Sequence, residues 1–422
     1  DYGLAFFHAA GGAYKVVATD GSWSQTWRYE PVGTAGEYDV GSFIGSGQAP
    51  TIAIGRTALK AVDTATYKAA YLVESGRDVS FVWKSGDYSA QVALDTQEGV
   101  FVKADAVAAS SGAWVRALSN DLRAEMFGAV GDTKVYDAAC TISSGSPNLT
   151  VTGATFTAND VGKNIVIGGA GTAGAPLVTT INAYVDATHV TLSANAATAL
   201  AASTVHVAYG TDDTTALQCY LNVCGYIGAP VFLGDSANAY AVSTKLQAMV
   251  KRNAGAVDSS PASDIHFTDN LPFNIVGLGK AVLVAVASMT AILELIYDSG
   301  DSDLAPFYTE INGVQFDGCD LATSGLYSNY AMHVITRNCR MAYVTRGIEY
   351  LGYGVAKVEG NTIRAKYCCY FPNGGGDSKF VHNDFYTGAD NGACLYLGHY
   401  AGDMSVSGNV FTNEFGYTGA VA

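Results

Sequence analysis

The sequence has few charged residues, few prolines and no long apolar run. Only 14% of the residues are charged, and Pro accounts for 9 of 422. Neither a run of about 18 apolar residues nor a charged-then-apolar leader occurs, so the residues given predict no membrane span and no secretory signal. Basic residues are the scarcer charged type. The chain has 23 Lys and Arg against 38 Asp and Glu, a net charge of −15, which argues against binding to nucleic-acid phosphates.

The cysteines lack the spacing of a zinc site. Two of the eight fall on a predicted helix and two are adjacent; the eight are Cys140, Cys219, Cys224, Cys319, Cys339, Cys368, Cys369 and Cys394. This usage favours buried free thiols, as in a protein that folds in a reducing cytosol, over a disulfide framework. We therefore expect no metal and no cofactor.

Glycine and aromatic residues are abundant. The chain has 48 Gly, 26 Tyr and 17 Phe, which is typical of a turn-rich β protein and unlike a disordered chain. Its 422 residues exceed one ordinary core, so we expect roughly two to four domains.

A short pattern recurs in the last hundred residues. Each copy runs from an apolar residue to an Asn three positions later; the copies are 335–338, 358–361, 380–383 and 406–409, and an imperfect copy at 311–316 has Val314 in place of the Asn. The Asn residues are 23, 22 and 26 positions apart. A period of this length with one short strand in each copy predicts a right-handed parallel β-helix, a solenoid, over residues 260–422. A β-sandwich with Asn in its turns is the alternative.

Stacking gives this pattern a physical meaning. Successive copies would lie about 4.8 Å apart, so equivalent side chains would stack directly on one another. An inward column of Asn side chains could then form hydrogen bonds from copy to copy, between columns of apolar residues. We expect the solenoid to continue beyond residue 422, because a solenoid needs a terminal cap and none is evident.

The first 48 residues form a compact β pattern. Apolar and polar residues alternate over three short stretches, with a hairpin turn signal at Asp20-Gly21 between the first two. The segment contains the sequence WRYEPVGTAGEYDVGSFIG. This sequence resembles the N-terminal particle-attachment segment of bacteriophage tailspikes; a generic β-hairpin module is the alternative.

Residues 51–118 predict a small α+β module. Apolar residues at helical spacing predict a helix over 57–73, and strand-like stretches follow it. The segment resembles modules that lie between the anchor and the β-helix of phage tail proteins. The resemblance implies a spacer or a trimer-forming neck.

Two halves of a further motif are separated by roughly eighty residues. Residues 127–132 read FGAVGD, and residues 210–218 read GTDDTTALQ. Joined, they resemble the motif that opens the β-helix of pectate-lyase-like proteins, where the two halves usually run on almost directly. The resemblance implies that 119–134 and 209–259 together begin the β-helix.

The second half of this motif predicts a helix. Asp212 or Asp213 is placed to cap a helix that begins near Thr214 and ends at Gly225, and capping is favoured over metal or acid–base chemistry for the Asp pair. Residues 135–208, between the halves, contain at least four short strands and predict an inserted small β-barrel or sandwich.

Acidic side chains on neighbouring copies are the candidate catalytic residues. Asp377 and Asp403 each lie six positions before their Asn and should stack. Retaining glycosidases need two carboxyl groups about 5–5.5 Å apart. The alternative, which the Gly-Asp pairs favour, is that both are turn residues. Glu359 and Asp384 are further acidic candidates.

Tyrosine is concentrated in and around the repeats. Such side chains can pack in a subunit interface or stack on sugar rings, and we expect the interface for most of them. They are Tyr327, Tyr330, Tyr343, Tyr350, Tyr353, Tyr367, Tyr370, Tyr386, Tyr396 and Tyr400.

Taken together, the chain resembles a bacteriophage tailspike or tail-fibre protein with a pectate-lyase-like β-helix domain. The resemblance implies a homotrimer in the virion tail that folds in the host cytoplasm. It would be anchored through residues 1–48 to the tail, the baseplate or an adaptor protein, and would bind a bacterial surface polysaccharide. Depolymerase activity, as a glycosidase or a lyase, is open. A non-enzymatic attachment protein and a free bacterial polysaccharide lyase are the alternatives.

Overall fold

The computed structural model describes residues 12–19, 24–32, 50–117, 122–234, 239–250, 273–279, 281–297, 309–329, 334–351, 355–373, 376–387, 392–399 and 402–413. The chain forms two compact units. The smaller consists of residues 1–74, 78–86 and 103–117, and the larger of residues 75–77, 87–102 and 118–422.

The first elements of the chain are short. They are β1 (Gly12–Thr19), β2 (Ser24–Val32), β3 (Thr51–Ile54), α1 (Arg56–Ala61), β4 (Ala69–Val73), β5 (Val79–Ser85), α2 (Ser89–Leu94), β6 (Phe101–Val102) and β7 (Gly112–Arg116). Of these, α2 and β6 belong to the larger unit. In the smaller unit β1 and β2 pair antiparallel. The turn predicted at Asp20-Gly21 lies outside the described residues.

Four adjacent strands of a five-stranded sheet form the core of the smaller unit. Their order is β3-β4-β5-β7, with β3 parallel to β4 and the other pairs antiparallel. Trp114 is fully buried and meets Trp83 edge-on at a centroid distance of 5.6 Å. Gly112 lies against the Trp83 ring, and a Cβ added there would come within 2.4 Å of it. This close approach explains why position 112 is a glycine.

The helix predicted over residues 57–73 is wrong beyond Ala61. Helix α1 ends there, and Ala69–Val73 is strand β4. Asp63 provides the physical reason, because its carboxylate accepts hydrogen bonds from Ala65 N at 2.9 Å and Thr66 Oγ1 at 2.6 Å. Such local side-chain bonds compete with the helix and turn the chain.

Residues 134–210 form a closed six-stranded antiparallel barrel. Its strands are β8 (Lys134–Ile142), β9 (Asn148–Val151), β10 (Asn164–Ile167), β11 (Leu177–Asp186), β12 (His189–Leu192) and β13 (Leu200–Gly210). They follow one another in space in the order β10-β11-β12-β9-β8-β13. Alternating apolar residues fill the interior, among them Ile142, Phe156, Ile165, Val190 and Tyr209.

Helix α3 (Thr214–Ile227) follows the barrel and ends at Gly228 in the left-handed conformation, three residues beyond the predicted end. Asp213 precedes the helix but makes no side-chain cap to it. Its carboxylate instead accepts hydrogen bonds from Val130 N at 2.6 Å and Gly131 N at 3.1 Å. Asp213 therefore joins the two separated halves of the sequence motif.

Two parallel sheets make up most of the described residues after helix α3. The first has seven strands: β14 (Val231–Leu233), β17 (Phe273–Gly277), β20 (Thr309–Asn312), β22 (Val334–Arg337), β24 (Ala356–Glu359), β26 (Lys379–Val381) and β29 (Ser405–Ser407). The main path of the second comprises β15 (Ala239–Val242), β18 (Val282–Ala285), β21 (Gln315–Asn329), β23 (Arg340–Leu351), β25 (Thr362–Phe371), β27 (Asp384–Thr387) and β30 (Val410–Asn413). The second sheet also contains β16 (Leu246–Val250), β19 (Met289–Tyr297) and β28 (Ala393–Leu397).

A ladder of Asn side chains stacks along the chain's last layers. Asn361 and Asn383 are buried, and Asn361 Nδ2 donates to Asn383 Oδ1 at 2.9 Å. Asn383 Nδ2 in turn donates to Asn409 Oδ1 at 2.8 Å. The backbone N–H groups of Asn361 and Asn383 donate to the same two acceptors at 2.9 Å. The inward Asn column predicted from the repeat is confirmed for these three positions.

The first member of the predicted column is wrong by one residue. Pairing of β22 with β24 aligns Thr336 with Val358, so Cys339 is the equivalent of Asn361. Cys339 is buried and its N–H donates to Asn361 Oδ1 at 2.9 Å. Asn338 is exposed and left-handed (φ 54°), equivalent to left-handed Gly360. The sequence pattern selected Asn338 in place of Cys339 because Asn also favours the left-handed conformation of turns.

The eight cysteines are all buried and free, so the expected free thiols are confirmed. Among the described residues, no helix combines the length and the apolar character that a membrane-spanning helix requires.

Candidate functional site

One face of the second parallel sheet carries polar and aromatic side chains in a single column. In-register pairing of β16, β19, β21, β23, β25 and β28 aligns six residues, which we call the outer column: Gln247, Glu294, Tyr327, Glu349, Tyr370 and Tyr396. The preceding residues pack into the core, as Leu293, Leu326 and Ile348 do at 2% exposure or less. Because successive side chains of a strand point to opposite faces, the outer column faces away from that core.

Glu349 is held by two donors. Its side chain accepts hydrogen bonds from Ser324 Oγ and from Arg346 Nη1, each at 2.5 Å. The residue is only 7% exposed. A buried carboxylate is costly unless it is paired and hydrogen-bonded, and these two contacts meet that requirement. They also fix the orientation of the carboxylate.

Glu294 is a second buried acid on the same column, at 6% exposure. Lys245 Nζ lies 2.7 Å from Glu294 Oε2, and Gln247 Nε2 donates to the same oxygen at 2.8 Å. Tyr327 separates Glu294 from Glu349 in the column. The two acidic positions are therefore two strand spacings apart, or roughly 9.6 Å.

Three tyrosines form an aromatic patch beside Glu349. Tyr370 and Tyr396 stack with centroids 4.7 Å apart and an interplanar angle of 21°. Tyr367 meets them at 5.3 and 5.9 Å. Tyr396 is 42% exposed, so the end of the stack is open to solvent.

Arg346 connects the aromatic patch to the acid. Its Cζ lies 4.1 Å from the centroid of Tyr370, a cation–π contact, while its Nη1 binds Glu349. Its buried Nε has no hydrogen-bond partner among the described residues. The face thus offers flat apolar rings and fixed carboxylate acceptors. A ligand with both apolar faces and hydroxyl groups matches this set.

The structure places Asp377 and Asp403 at equivalent positions, two residues before β26 and β29, which pair Lys379 with Ser405. Both are exposed turn residues in the left-handed conformation, with φ of 58° and 50°. Asp377 N donates to Gly402 O at 3.2 Å. The pair belongs to the first sheet and does not join the outer column.

Glu359 and Asp384 lie on different sheets. Glu359 is on β24, where Lys357 Nζ is 2.8 Å from its carboxylate and Arg337 Nη2 is 3.5 Å away. The hydrogen bond from Lys357 lowers the pKa of Glu359. Asp384 begins β27 and pairs in register with Thr362 and Val410. The structure brings neither residue into a carboxylate pair with the other.

The sequence interpretation missed Glu294 and Glu349. Each is the lone acidic residue in an apolar strand, within AILELIY and GIEYL, and that isolation was an available signal. The recurring Asn pattern does not include these acids, which lie on strands of the second sheet.

No protein-family model matches the chain, and no curated protein matches it. Among solved structures, the chain is similar to the Gp54 tailspike of Acinetobacter baumannii bacteriophage AP22, solved in complex with A. baumannii capsular saccharide. The sequence identity is 9% and the TM-score is 0.17. The match covers 65% of this chain and 53% of the tailspike chain, so this chain spans about half of that protein's length.

Proposed function

We propose that this chain is part of a bacteriophage tailspike that binds a bacterial surface polysaccharide through the outer column. In this proposal the two parallel sheets are faces of a right-handed β-helix, and the protein is a homotrimer of the virion tail attached through residues 1–48. The observation that carries the binding proposal is the stacked Tyr370–Tyr396 pair beside the Arg346–Glu349 ion pair. The attachment role rests on the sequence resemblance of the N-terminal segment.

The chemistry of the face suits a glycan. A sugar ring has an apolar C–H face that can stack on tyrosine and hydroxyl groups that can donate to carboxylates. Burial and pairing hold the two carboxylates in place before a ligand arrives, which lowers the ordering cost of binding. Positions in the column repeat about every 4.8 Å, so an extended polymer can contact several strands at once.

The binding test compares two sets of tyrosines. The probe is a panel of extracted bacterial capsular and lipopolysaccharide O-chain polysaccharides, and the readout is the dissociation constant of the full-length chain. We expect Tyr370→Ala combined with Tyr396→Ala to weaken binding at least tenfold. Tyr184→Ala is the matched control, because Tyr184 is similarly exposed, at 40%, on barrel strand β11. Equal binding by both variants would remove the outer column from the proposal.

Cleavage of the polysaccharide is a second proposal, with Glu294 and Glu349 as its candidate pair. Inverting glycosidases hold their two carboxyl groups about 6.5–9.5 Å apart, and two strand spacings, roughly 9.6 Å between backbone positions, come to the upper limit of that range. Asp377 and Asp403, one strand spacing or roughly 4.8 Å apart, are the alternative pair and would suit a retaining mechanism. Glu359 and Asp384 are further candidates.

The cleavage test measures oligosaccharides released from a polysaccharide that the chain binds. Loss of activity in Glu294→Gln and Glu349→Gln, with Asp377→Asn and Asp403→Asn unaffected, would assign the reaction to the outer column. The reverse pattern would assign it to the turn pair. Ultraviolet absorbance from unsaturated ends would identify a lyase. An intact polymer that still binds would identify an attachment protein.

A further inference from the structure

His206 lies between two carboxylates where the barrel meets the second parallel sheet. It is on β13, is 9% exposed, and its Nδ1 is 2.8 Å from Oδ1 of Asp137 on β8. Its Nε2 is 3.0 Å from both carboxylate oxygens of Asp317 on β21. The ring stacks on Tyr343 at a centroid distance of 3.8 Å, and Tyr343 Oη donates to Asp137 at 2.8 Å.

A buried thiol completes this cluster. Cys319 is 3% exposed, and its Sγ lies 3.6 Å from Asp317 Oδ1. The candidate ligand atoms of His206, Asp317 and Cys319 all lie within 4.8 Å of one another. Imidazole nitrogen, carboxylate oxygen and thiolate sulfur form a donor set that zinc accepts.

The contacts of His206 call for a positive species at Nε2. When Nδ1–H donates to Asp137, a neutral ring presents the Nε2 lone pair to the Asp317 carboxylate at 3.0 Å. Two lone-pair acceptors at this distance repel each other unless a proton or a metal ion lies between them. The same arrangement, with a carboxylate on one imidazole nitrogen and the ion on the other, is the usual support of metal-binding histidines.

We propose that His206 Nε2, Asp317 and Cys319 bind one divalent ion of the zinc class. In a tetrahedral zinc site, neighbouring N and O ligands are about 3.4 Å apart and O and S ligands about 3.6 Å apart, from the usual bond lengths. The corresponding distances here are 3.0 and 3.6 Å. Asp137 is the orienting partner of His206.

The backbone around the cluster supports a specialised role. Cys319, Asp320 and Tyr343 all have left-handed φ, of 48°, 56° and 56°. Pairing of β21 with β23 is interrupted between Asp317 and Ala322, so extra residues bulge out of the strand beside the ligands. Such conformations are strained for non-glycine residues, and they cluster at functional sites.

The ion would fasten the barrel to the second parallel sheet. Here the apolar contact between them is made mainly of small side chains, including Val166 and Ala208 from the barrel and Ala241 and Val284 from the sheet. Histidine comes from the barrel, while the carboxylate and thiol come from β21. A metal that binds only the folded arrangement stabilises it.

The test uses the untagged full-length chain, stripped of metal and titrated with Co²⁺ and Zn²⁺. We expect one Co²⁺ per chain, a thiolate-to-cobalt charge-transfer band that Zn²⁺ abolishes, and a rise in Tm that saturates at one ion per chain. Cys319→Ser should lose the band, and His206→Gln should weaken binding at least tenfold.

Two matched controls test whether the signal belongs to this cluster. Cys140→Ser alters another buried thiol of the barrel, and His189→Gln alters a barrel histidine that pairs with Asp186 at 2.8 Å. Both should keep the cobalt band. Absence of stoichiometric metal in the wild type, or a band that survives Cys319→Ser, would overturn the proposal and leave a protonated His206 linking the two carboxylates. The wild-type titration decides the question even if a variant fails to fold.

Discussion

At the scale of single residues, the buried Asn ladder depends on complete hydrogen bonding. Asn383 donates to Asn409 Oδ1 and to Val358 O, and its own Oδ1 accepts from the N–H and the side chain of Asn361. Burial makes each of these groups costly to leave unsatisfied. One side chain therefore serves three successive layers.

Asn383→Ala should lower the free energy of unfolding by about 2–4 kcal/mol, because several buried polar groups lose their partners together. Asn338→Gly is the control, since Asn338 is exposed and left-handed like Gly360; it should change stability by no more than about 0.5 kcal/mol. Urea denaturation followed by circular dichroism measures both. Equal losses of stability in the two variants would mean that the buried hydrogen bonds of the ladder contribute no extra stability.

A second residue-scale prediction concerns pH. Burial raises the pKa of Asp213 to about 6, although its two backbone hydrogen bonds act in the opposite direction. The folded pKa lies above the ordinary value of 3.8. The stabilisation from the protonated form is therefore complete below pH 3.8 and is lost as the pH rises through 6.

Asp213→Asn removes this titration and keeps a carbonyl acceptor for Val130 or Gly131. Between pH 4 and pH 7, the free energy of unfolding of the variant should rise by about 2–3 kcal/mol relative to that of the wild type, at 1.36 kcal/mol per pKa unit. Denaturant titrations of both proteins across that range provide the measurement. Parallel pH profiles would contradict the raised pKa.

At the scale of elements, local patterns predicted some features well and others poorly. The recurring Asn predicted the parallel stacking, because a ladder of stacked amides needs an Asn at the same position of each successive copy. The same pattern misplaced Asn338, since Asn also suits the exposed left-handed turn beside the ladder. The helix predicted over 57–73 failed because the turn made by Asp63 interrupts an apolar spacing that suits either structure.

The candidate sites were harder to predict for a different reason. Glu294 and Glu349 align only through the register of β19, β21 and β23, and these strands share no recurring sequence pattern. His206 is more than a hundred residues from Asp317 and Cys319 in sequence, so no zinc-type spacing exists to be recognised. Tertiary pairing, rather than local sequence, creates both clusters.

The barrel provides an element-scale prediction. Thr133 comes directly before the barrel and Gly210 is its last residue, and the two touch, since a Cβ added at Gly210 would lie 2.6 Å from Thr133 Cα. Deleting residues 134–209 and joining the flanks through a short Gly-Ser linker should leave the parallel sheets folded, because Asp213 and Asp132 still bridge the two halves of the motif.

Circular dichroism and a single cooperative melting transition report the outcome of this deletion. The Tm should fall, because the contacts of His206 with Asp317 and Tyr343 are lost. Binding to the polysaccharide probe should persist, since the outer column contains no barrel residue. An aggregated or uncooperative variant would mean that the barrel is needed for the sheets to form.

At the scale of the whole molecule, parallel stacking turns single side chains into extended surfaces. Each added strand of the second sheet extends the outer column by about 4.8 Å in the same direction. Buried acids, stacked tyrosines and Arg346 therefore form one continuous face, although the residues come from strands spread over 150 positions from Gln247 to Tyr396. Such a face suits a repeating polymer better than a small molecule.

The most direct test of this account is a crystal structure of the full-length chain with an oligosaccharide from a polysaccharide selected by the binding test. We predict that sugar rings lie across Tyr370 and Tyr396 and that at least one hydroxyl donates to the carboxylate of Glu349. An oligosaccharide bound with high occupancy elsewhere, with the outer column bare or covered by another subunit, would contradict the central claim.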